Sequence, residues 1–207
     1  MDKTLTELGT LHQTDKVDHG FTDVYEKLFA PLRKNKLNFL EIGIWEGGSI
    51  KMWRDYFTNA TIYGADIEDK YNDSIIAVCN QEEESELLNL FKDVEFDVII
   101  DDGGHTMKQQ QITFKTMFPR LRSGGIFVIE DLHTSLYPDF YVEENKEYNQ
   151  KDDETTLSLL KCLKRMKNFQ TKYIVINEFK ALRQQISSIE IHYLNDLDSI
   201  TGIIYKK

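Results

Sequence analysis

Short apolar runs alternate along this chain with segments of helical periodicity. The runs predict five buried strands, at residues 37–42, 61–66, 75–79, 96–101 and 126–130. Apolar residues spaced three or four positions apart predict helices at 49–57, 82–92, 108–121 and 157–169. Strands that are apolar throughout and alternate with helices are typical of a parallel sheet covered on both faces.

The two ends of the chain add further elements. Residues 22–29 predict a helix, which Pro31 ends. Alternation over 186–193 and 200–205 predicts an antiparallel hairpin, whereas residues 173–176 fit either a strand or a helix. The predicted fold class is therefore α/β: a Rossmann-like, seven-stranded, mostly parallel sheet with a C-terminal antiparallel hairpin and helices on both faces.

Composition narrows the class of protein. The 207 residues fit a single domain spanning 1–207, and 41% of them are apolar, enough for a large core. A net charge of −10 argues against a nucleic-acid partner, because proteins that bind phosphate backbones concentrate positive charge. Cys79 and Cys162 are too few for a disulfide framework, which predicts a reducing, cytoplasmic location. We expect no signal peptide and no membrane span, and the sequence leaves a homo-oligomer open.

The first predicted strand runs into a glycine turn. Gly43 ends the apolar run, Gly47 and Gly48 follow it, and Ser49 is placed to cap the next helix. In parallel sheets, a strand, a glycine turn and a helix start form a nucleotide-sized site.

The residues around this turn indicate which nucleotide would bind. Position 45 is Trp, so the dinucleotide pattern G-x-G-x-x-G fails. Glu41 lies near the end of the strand, where a carboxylate would repel a pyrophosphate. A carboxylate there suits S-adenosylmethionine (SAM), which has an amino group, a sulfonium and a ribose but no phosphate. The sequence therefore favours SAM over NAD.

Two further strand ends carry polar residues. Asp66 ends the second strand, where its carboxylate suits the hydroxyls of a ribose; capping the next turn is the alternative. Asn80 and Gln81 follow the third strand, where they either meet an adenine edge or form an ordinary turn. The carboxyl ends of parallel strands share one edge of the sheet, which is where open α/β sheets bind ligands.

Carboxylates cluster at the ends of the fourth and fifth strands. Asp102 follows the fourth strand, and Glu130 and Asp131 end the fifth. Any one of them could cap a helix, but three together repel unless a cation lies among them. Oxygen ligands favour Mg²⁺ over Ca²⁺ or Mn²⁺. His105 can reach the same cavity as a general base, since a metal lowers the pKa of a bound hydroxyl. His133 either contacts substrate or packs within its loop.

Motifs near the ends of four predicted strands are Glu41-Ile42-Gly43, Asp66, Ile100-Asp101-Asp102-Gly103-Gly104-His105 and Val128-Ile129-Glu130-Asp131. Further segments are Thr14-Asp15-Lys16, His19, Thr22, Tyr25-Glu26, Met52-Trp53-Arg54-Asp55-Tyr56-Phe57 and Phe118-Pro119-Arg120-Leu121. This combination of motifs resembles the class I SAM-dependent methyltransferases, and within them the metal-dependent sugar O-methyltransferases of the macrocin and mycinamicin type. The resemblance covers residues 9–138 closely and the C-terminal hairpin loosely.

The resemblance implies a role for each group of residues. It implies that His105 is the general base. It also implies that Asp102, Glu130 and Asp131 hold a metal, and that this metal chelates vicinal sugar hydroxyls. It implies a SAM pocket, closed by an N-terminal cap at 1–35, that comprises Thr14, Lys16, Tyr25, Glu41, Gly43, Asp66, Asn80, Gln81 and Asp101. Substrate contacts are expected from the 132–155 loop, including His133 and Tyr137. Many members have an aspartate where this chain has Asn80.

Two other functions stay open at this stage. A catechol also chelates a metal through neighbouring oxygens, so a catechol-type O-methyltransferase is an alternative. The polar 132–155 loop favours a sugar acceptor, although Tyr137, Phe140 and Tyr141 would suit a flat one. The third reading is a non-catalytic SAM-binding partner subunit, against which the complete set of base and metal ligands argues.

Overall fold

The described residues form one seven-stranded sheet. The computed structural model describes residues 2–137, 154–195 and 199–207. Its strands are β1 (Asn38–Ile42), β2 (Thr61–Asp66), β3 (Ile76–Val78), β4 (Phe96–Asp101), β5 (Leu121–Ile129), β6 (Ile186–Leu194) and β7 (Ser199–Lys206). They lie in the order β3-β2-β1-β4-β5-β7-β6. The pairs among β1 to β5 are parallel, while β7 runs antiparallel to β5 and β6. The predicted fold class is confirmed.

Helices cover both faces of the sheet. The α-helices are α1 (Leu5–His12), α2 (Phe21–Phe29), α3 (Gly48–Tyr56), α4 (Glu84–Asn89), α5 (Met107–Met117), α6 (Thr156–Lys164) and α7 (Ile176–Gln185). Short 3₁₀ helices lie at Ala30–Leu32, Phe118–Arg120 and Leu132–Leu136. One hydrophobic cluster packs α1, α2 and α3 on one face, and a second packs α4 to α7 on the other.

Alternation along each strand divides the core between these clusters. Phe39 and Val98 face α1 to α3, whereas their neighbours Leu40 and Ile99 face α4 to α7. All four side chains are fully buried. Burying one such side chain contributes about 1.5–3 kcal/mol, so the central strands hold the two helical layers in place. The strand ends that carry the polar residues are thereby set on a rigid support.

Helix α1 was not predicted. Thr4 caps it by accepting a hydrogen bond from the backbone of Glu7, whose carboxylate in turn accepts one from the Thr4 amide at 2.8 Å. Leu5 and Leu8 bury its inner face. The capping box Thr4-x-x-Glu7 was a signal present in the sequence, but the two buried leucines form too short a pattern to show helical periodicity.

Several predicted boundaries move in the structure. β5 begins at Leu121 rather than at 126, and so includes the glycine pair of 123–125. The predicted helices at 82–92, 108–121 and 157–169 are all shorter, as α4, α5 and α6. α6 ends at Lys164, and Met166 beyond it has a left-handed backbone with φ 61°. Residues 173–176, for which the sequence fits either a strand or a helix, lead into α7, which begins at Ile176, and do not form a strand.

Some predicted features fall outside the described residues. They include most of the 132–155 substrate loop, with Phe140 and Tyr141, and most of the hairpin turn at 195–198. Within the described ranges, no helix has both the length and the apolar character needed to cross a membrane.

Candidate active site

A cavity of about 360 Å³ opens at the carboxyl ends of the parallel strands. This volume lies in the range of pockets that take small molecules. Its walls include the predicted residues Thr14, Gly43, Asp66, Asn80, Gln81, Asp102, His105 and Asp131. One continuous space therefore joins the predicted ribose carboxylate to the predicted base and to two of the three predicted metal ligands, whereas Glu130 does not line it.

Asp66 holds the glycine turn with its carboxylate. Oδ2 accepts hydrogen bonds from the backbone amides of Ile44 at 2.9 Å and Trp45 at 3.1 Å, and Oδ1 accepts one from Glu68 at 3.1 Å. The side chain thus does cap the turn that follows β2, as the alternative reading expected. It also lines the cavity, so its role towards a ribose stays a prediction.

Asn80 and Gln81 occupy different environments although both line the cavity. Asn80 Oδ1 accepts a hydrogen bond from the Glu82 amide at 3.0 Å, which forms a local turn. Gln81 is buried; its Nε2 donates to Asp101 Oδ1 at 2.9 Å, and its Oε1 accepts from the Gly104 amide at 2.8 Å. Gln81 therefore braces the loop after β4.

Asp101 lies beneath this loop rather than in the cavity wall. Its side chain is buried, and that burial raises the pKa of the carboxyl to about 8, against the hydrogen bond from Gln81. The acid is therefore largely protonated at neutral pH. Its predicted contact with SAM stays a prediction.

Glu41 also faces the protein interior. Its carboxylate accepts hydrogen bonds from Ser49 Oγ at 2.6 Å and Trp53 Nε1 at 3.1 Å. Burial raises the pKa of this carboxyl, while Lys16, Ser49 and Trp53 oppose the shift. The prediction that Ser49 caps α3 is wrong: the N-cap is Gly47, and the Ser49 hydroxyl turns to the carboxylate. Glu41 thus supports the glycine turn from below.

Lys16 lies at the centre of the acidic cluster. Its side chain is 1% exposed, and its ammonium contacts Glu130 Oε1 at 2.9 Å, Glu41 Oε1 at 3.2 Å and Asp102 Oδ2. Burial would lower the pKa of Lys16, but the surrounding carboxylates outweigh it and raise the pKa well above its usual value. The repulsion that predicted a metal among these carboxylates is therefore partly relieved by a cation of the chain itself.

Glu130 is held by two residues of the N-terminal segment. Besides Lys16, the Tyr25 hydroxyl donates to Glu130 Oε1 at 2.9 Å. Both Tyr25 and Glu130 are buried, and burial raises the pKa of each well above its usual value. Tyr25 and Lys16 lie behind the cavity wall, so they contact the acid cluster rather than the space where a cofactor would lie.

Asp102, His105 and Asp131 come together in the cavity wall. One potential ligand atom from each lies within 4.8 Å of the other two, in a half-buried position. His105 Nε2 is 3.3 Å from Asp131 Oδ2. The buried Oδ1 of Asp131 accepts no hydrogen bond from the described residues. A carboxylate oxygen left in this state suits a cation, so the donor set is compatible with a divalent metal.

Two further histidines approach Asp131. His133 Nδ1 lies 3.5 Å and His19 Nδ1 3.9 Å from its Oδ1, and the His133 ring meets Tyr137 edge to face at 6.2 Å. His133 thus lies beside Asp131, and Tyr137 lies beside His133, but neither residue lines the cavity, so their contact with substrate stays a prediction. His19, which also bonds Ser199 Oγ at 2.9 Å, was identified only as part of a motif.

Trp45 also lines the cavity, although it was not among the predicted site residues. Its side chain is 64% exposed and borders the cavity at the glycine turn, with a left-handed backbone at φ 39°. An exposed indole beside a cavity gives a flat ligand a surface to stack on. Its position within the glycine turn could have indicated this role, but the sequence argument used Trp45 only to show that the dinucleotide pattern fails.

Comparison with known proteins identifies similar enzymes. The chain is 36% identical over 173 residues to demethylmacrocin O-methyltransferase of Streptomyces fradiae, covering 77% of this chain and 43% of the relative. It is 38% identical over 150 residues to 8-demethyl-8-(2-methoxy-alpha-L-rhamnosyl)-tetracenomycin-C 3'-O-methyltransferase of Streptomyces olivaceus, covering 66% of this chain and 38% of the relative. The chain thus spans less than half the length of these curated relatives. No protein-family model matches it.

A solved structure shares the fold. MycE methyltransferase from the mycinamycin biosynthetic pathway, in complex with Mg, S-adenosylhomocysteine (SAH) and mycinamycin VI, matches with a TM-score of 0.78 and 29% sequence identity. The match covers 99% of this chain and 55% of that chain. The similarity therefore extends over the sheet, both helical layers and the cavity.

Proposed function

Because this chain belongs to the class I SAM-dependent methyltransferases, together with the sugar O-methyltransferases that it matches, we propose that it transfers a methyl group from SAM to a sugar hydroxyl. The acceptor is a nucleotide-linked sugar, a glycan precursor or a glycosylated natural product. The matched relatives act on glycosylated products, which favours the last class. The observation that carries the proposal is the single cavity running from Asp66 to the Asp102–His105–Asp131 cluster.

The Asp66 end of the cavity supports the cofactor assignment. Asp66, Asn80 and the glycine turn offer oxygens and amides to a nucleoside, and Trp45 offers a flat apolar surface. Thr14 and its neighbours close the same wall from the N-terminal segment. We expect these groups to bind and orient SAM, while Glu41 and Gln81 hold the turn and loop that carry them.

The other end supports a metal-assisted reaction. Asp102 and Asp131 would hold a divalent cation, Mg²⁺ first. Glu130, the third predicted ligand, lies outside this cluster, and its carboxylate is engaged by Lys16 and Tyr25. A cation bound there supplies Lewis-acid stabilisation of the negative charge that develops on the acceptor oxygen. Two vicinal sugar hydroxyls are the acceptor groups that this arrangement suits.

His105 is proposed as the general base. It borders the cavity and its Nε2 lies 3.3 Å from Asp131 Oδ2, so the carboxylate can orient the ring and stabilise its protonated form. The imidazole takes the proton of the acceptor hydroxyl as the oxygen attacks the methyl carbon and the sulfur leaves. Holding oxygen, carbon and sulfur in line can supply much of the rate enhancement.

The remaining predictions concern the borders of the site. We propose that residues 1–35 cap the cofactor, and that 132–155, with His133 and Tyr137, contacts the sugar. The single-domain organisation of 1–207, a homo-oligomer, the absence of a nucleic-acid partner and a cytoplasmic location stay predictions.

An acceptor screen tests this function. The chain is incubated with SAM, Mg²⁺ and a panel of nucleotide sugars, simple glycosides, glycosylated macrolides and catechols, and SAH is quantified. We expect SAH with at least one sugar acceptor, and none from an EDTA-treated sample. Methylation confined to catechols would replace the sugar assignment. Tight SAH binding without turnover on any acceptor would support a non-catalytic subunit, and tight NAD binding would overturn the cofactor.

A further inference from the structure

The segment between α1 and α2 is joined to the strand ends through Lys16. The ammonium of this residue reaches three carboxylates at the ends of three neighbouring strands: Glu41 in β1, Asp102 after β4 and Glu130 after β5. Both oxygens of Glu130 accept its hydrogen bonds, at 2.9 and 3.0 Å. A lysine that is 1% exposed with three carboxylate partners is a fixed internal link rather than a mobile surface charge.

The same segment forms a wall of the cofactor end of the cavity. Gln13, Thr14 and Asp15, immediately before Lys16, all line the cavity, and a Cβ added to Gly48 of the glycine turn would lie 3.4 Å from the Gln13 backbone oxygen and the Thr14 amide nitrogen. After Lys16, its carbonyl accepts the backbone amide of Phe21 at 3.0 Å, which begins α2. On the other side, His12 Nε2 lies 2.7 Å from Asp55 Oδ2 of α3. The wall is therefore held by the His12–Asp55 contact before it, and after it by the hydrogen bond from the Phe21 amide to the Lys16 carbonyl and by the Lys16 ammonium.

Position and charge together indicate what Lys16 does. Its own side chain lies outside the cavity wall, so it does not contact a bound nucleoside. Its partners, however, belong to the glycine-turn support at Glu41 and to the metal end at Asp102 and Glu130. Without the ammonium, the buried carboxylates of Glu41 and Glu130 and the half-buried carboxylate of Asp102 would lie together with less compensation, and the wall would lose its attachment to the sheet.

We propose that Lys16 is a positioning residue that pins the 13–15 wall over the cofactor end of the cavity by bridging Glu41, Asp102 and Glu130. This inference rests on the proposed function, because it takes the nucleoside part of SAM or SAH as the ligand. It replaces the predicted direct contact between Lys16 and the cofactor. Loss of the charge at this position should weaken nucleoside binding even though no contact to the ligand is removed.

Equilibrium binding of SAH tests the proposal without requiring turnover. Lys16→Gln and Lys16→Met remove the charge, Lys16→Arg retains it, and Lys180→Met removes an exposed lysine of α7 outside the cavity wall as the matched control. SAH affinity is measured by calorimetry well below the melting temperature of each variant. We expect the two neutral variants to bind about tenfold or more weakly, Lys16→Arg to recover most of the affinity, and Lys180→Met to match the wild type.

The outcomes separate this inference from the proposed function. Absence of SAH binding to the wild type would remove the proposed function itself. Wild-type binding together with an unchanged affinity in a folded Lys16→Gln variant would overturn the role of Lys16 alone. A lower melting temperature with unchanged affinity would likewise assign it a purely structural role. If neither neutral variant folds, hydrogen exchange on the wild type decides: SAH should slow exchange at residues 13–21, and unchanged exchange would overturn the proposal.

Discussion

His105 and Asp131 face each other at 3.3 Å, and both have a left-handed backbone, with φ 61° and φ 53°. A non-glycine residue in this region costs about 1–2 kcal/mol relative to the right-handed conformation. Two such residues in contact at a cavity are maintained only because the surrounding structure over-determines them. β4 and β5 supply that support, since each residue follows the end of one of these parallel neighbours. The observed strain is consistent with the proposed roles of His105 as general base and of Asp131 as a metal ligand.

Replacement of His105 should separate catalysis from folding. His105→Ala should bind SAH normally and lose about 10²–10⁴ in turnover, the usual effect of removing a general base. His105→Gly should lose the same activity. Its free energy of unfolding should exceed that of His105→Ala by about 1 kcal/mol, because glycine tolerates the left-handed backbone. Steady-state kinetics and urea unfolding measure the two effects. Activity within a few-fold of wild type in both variants would assign the proton to another group, with His133 the nearest alternative.

Removal of the metal should abolish turnover and spare SAH binding. EDTA-treated protein should be inactive and Mg²⁺ should restore it, because Asp102 and Asp131 belong to the proposed metal cluster. SAH binding should persist because the Asp66 carboxylate is held instead by the backbone of Ile44, Trp45 and Glu68. Asp131→Asn should raise the Mg²⁺ concentration needed for half-maximal activity, since it removes one charge from a site with few carboxylates. Full-rate methylation by chelated protein would make these carboxylates hydrogen-bond acceptors for the substrate instead.

The parts of the fold that could be predicted are those with a strong local pattern. Continuous apolar runs such as 96–101 and 126–130 identify buried strands, and carboxylates directly after them must share one edge of the sheet. That reasoning brought Asp102 and Asp131 together correctly. Helix α1 was missed because only Leu5 and Leu8 mark its buried face, and tertiary packing against α3 does the rest.

What could not be predicted are contacts between residues far apart in sequence. No local pattern shows that Lys16 meets Glu130, more than a hundred positions away, so the electrostatic argument assigned all of the neutralising charge to a metal. In the same way, the hydroxyl of Ser49 had two possible partners, the helix start and Glu41. The buried carboxylate, which loses more when left unpartnered, is the one it bonds.

Asp66 should contribute to cofactor binding in two ways that substitutions can separate. Asp66→Ala should weaken SAH binding by about 1–3 kcal/mol, the scale of a lost charged hydrogen bond. Part of this effect comes from the turn, because Asp66 also accepts the amides of Ile44 and Trp45. Asp66→Asn keeps one oxygen that can accept from those amides. It should therefore preserve thermal stability better than Asp66→Ala does, while still weakening SAH binding. Calorimetry that shows wild-type affinity in Asp66→Asn would exclude a charged contact to the ribose.

Cys79 offers a pH-dependent probe of the cavity. Burial raises the pKa of its thiol to about 11, so little thiolate exists at neutral pH. In a Cys162→Ser variant, the rate of labelling by a disulfide reagent should rise about tenfold for each pH unit between 7 and 9, because only the thiolate reacts. Since Cys79 borders the cavity, bound SAH should slow the reaction further. A labelling rate that levels off below pH 9, or one that SAH leaves unchanged, would contradict this placement.

Gly43 should be the least replaceable residue of the glycine turn. Its φ is +84°, and a Cβ added there would lie 2.0 Å from the backbone oxygen of Asp102. Gly124 is a matched control, because its φ is +78° while a Cβ there meets nothing within 4 Å. Gly124→Ala should therefore cost only the left-handed backbone, about 1–2 kcal/mol. Gly43→Ala adds a clash with main chain that cannot rotate away, so its cost should be about 3 kcal/mol or more.

The clash in Gly43→Ala should also affect the proposed metal ligands. Relief of the contact requires the Asp102 backbone to move, and its side chain is one of the predicted ligands. We therefore expect the folded fraction of Gly43→Ala to need more Mg²⁺ for half-maximal activity, whereas Gly124→Ala keeps the wild-type requirement. Urea unfolding and Mg²⁺ titration on both variants measure the two effects. Equal unfolding free energies for the two variants would mean that the strand ends of β1 and β4 are less rigidly joined than their contact indicates.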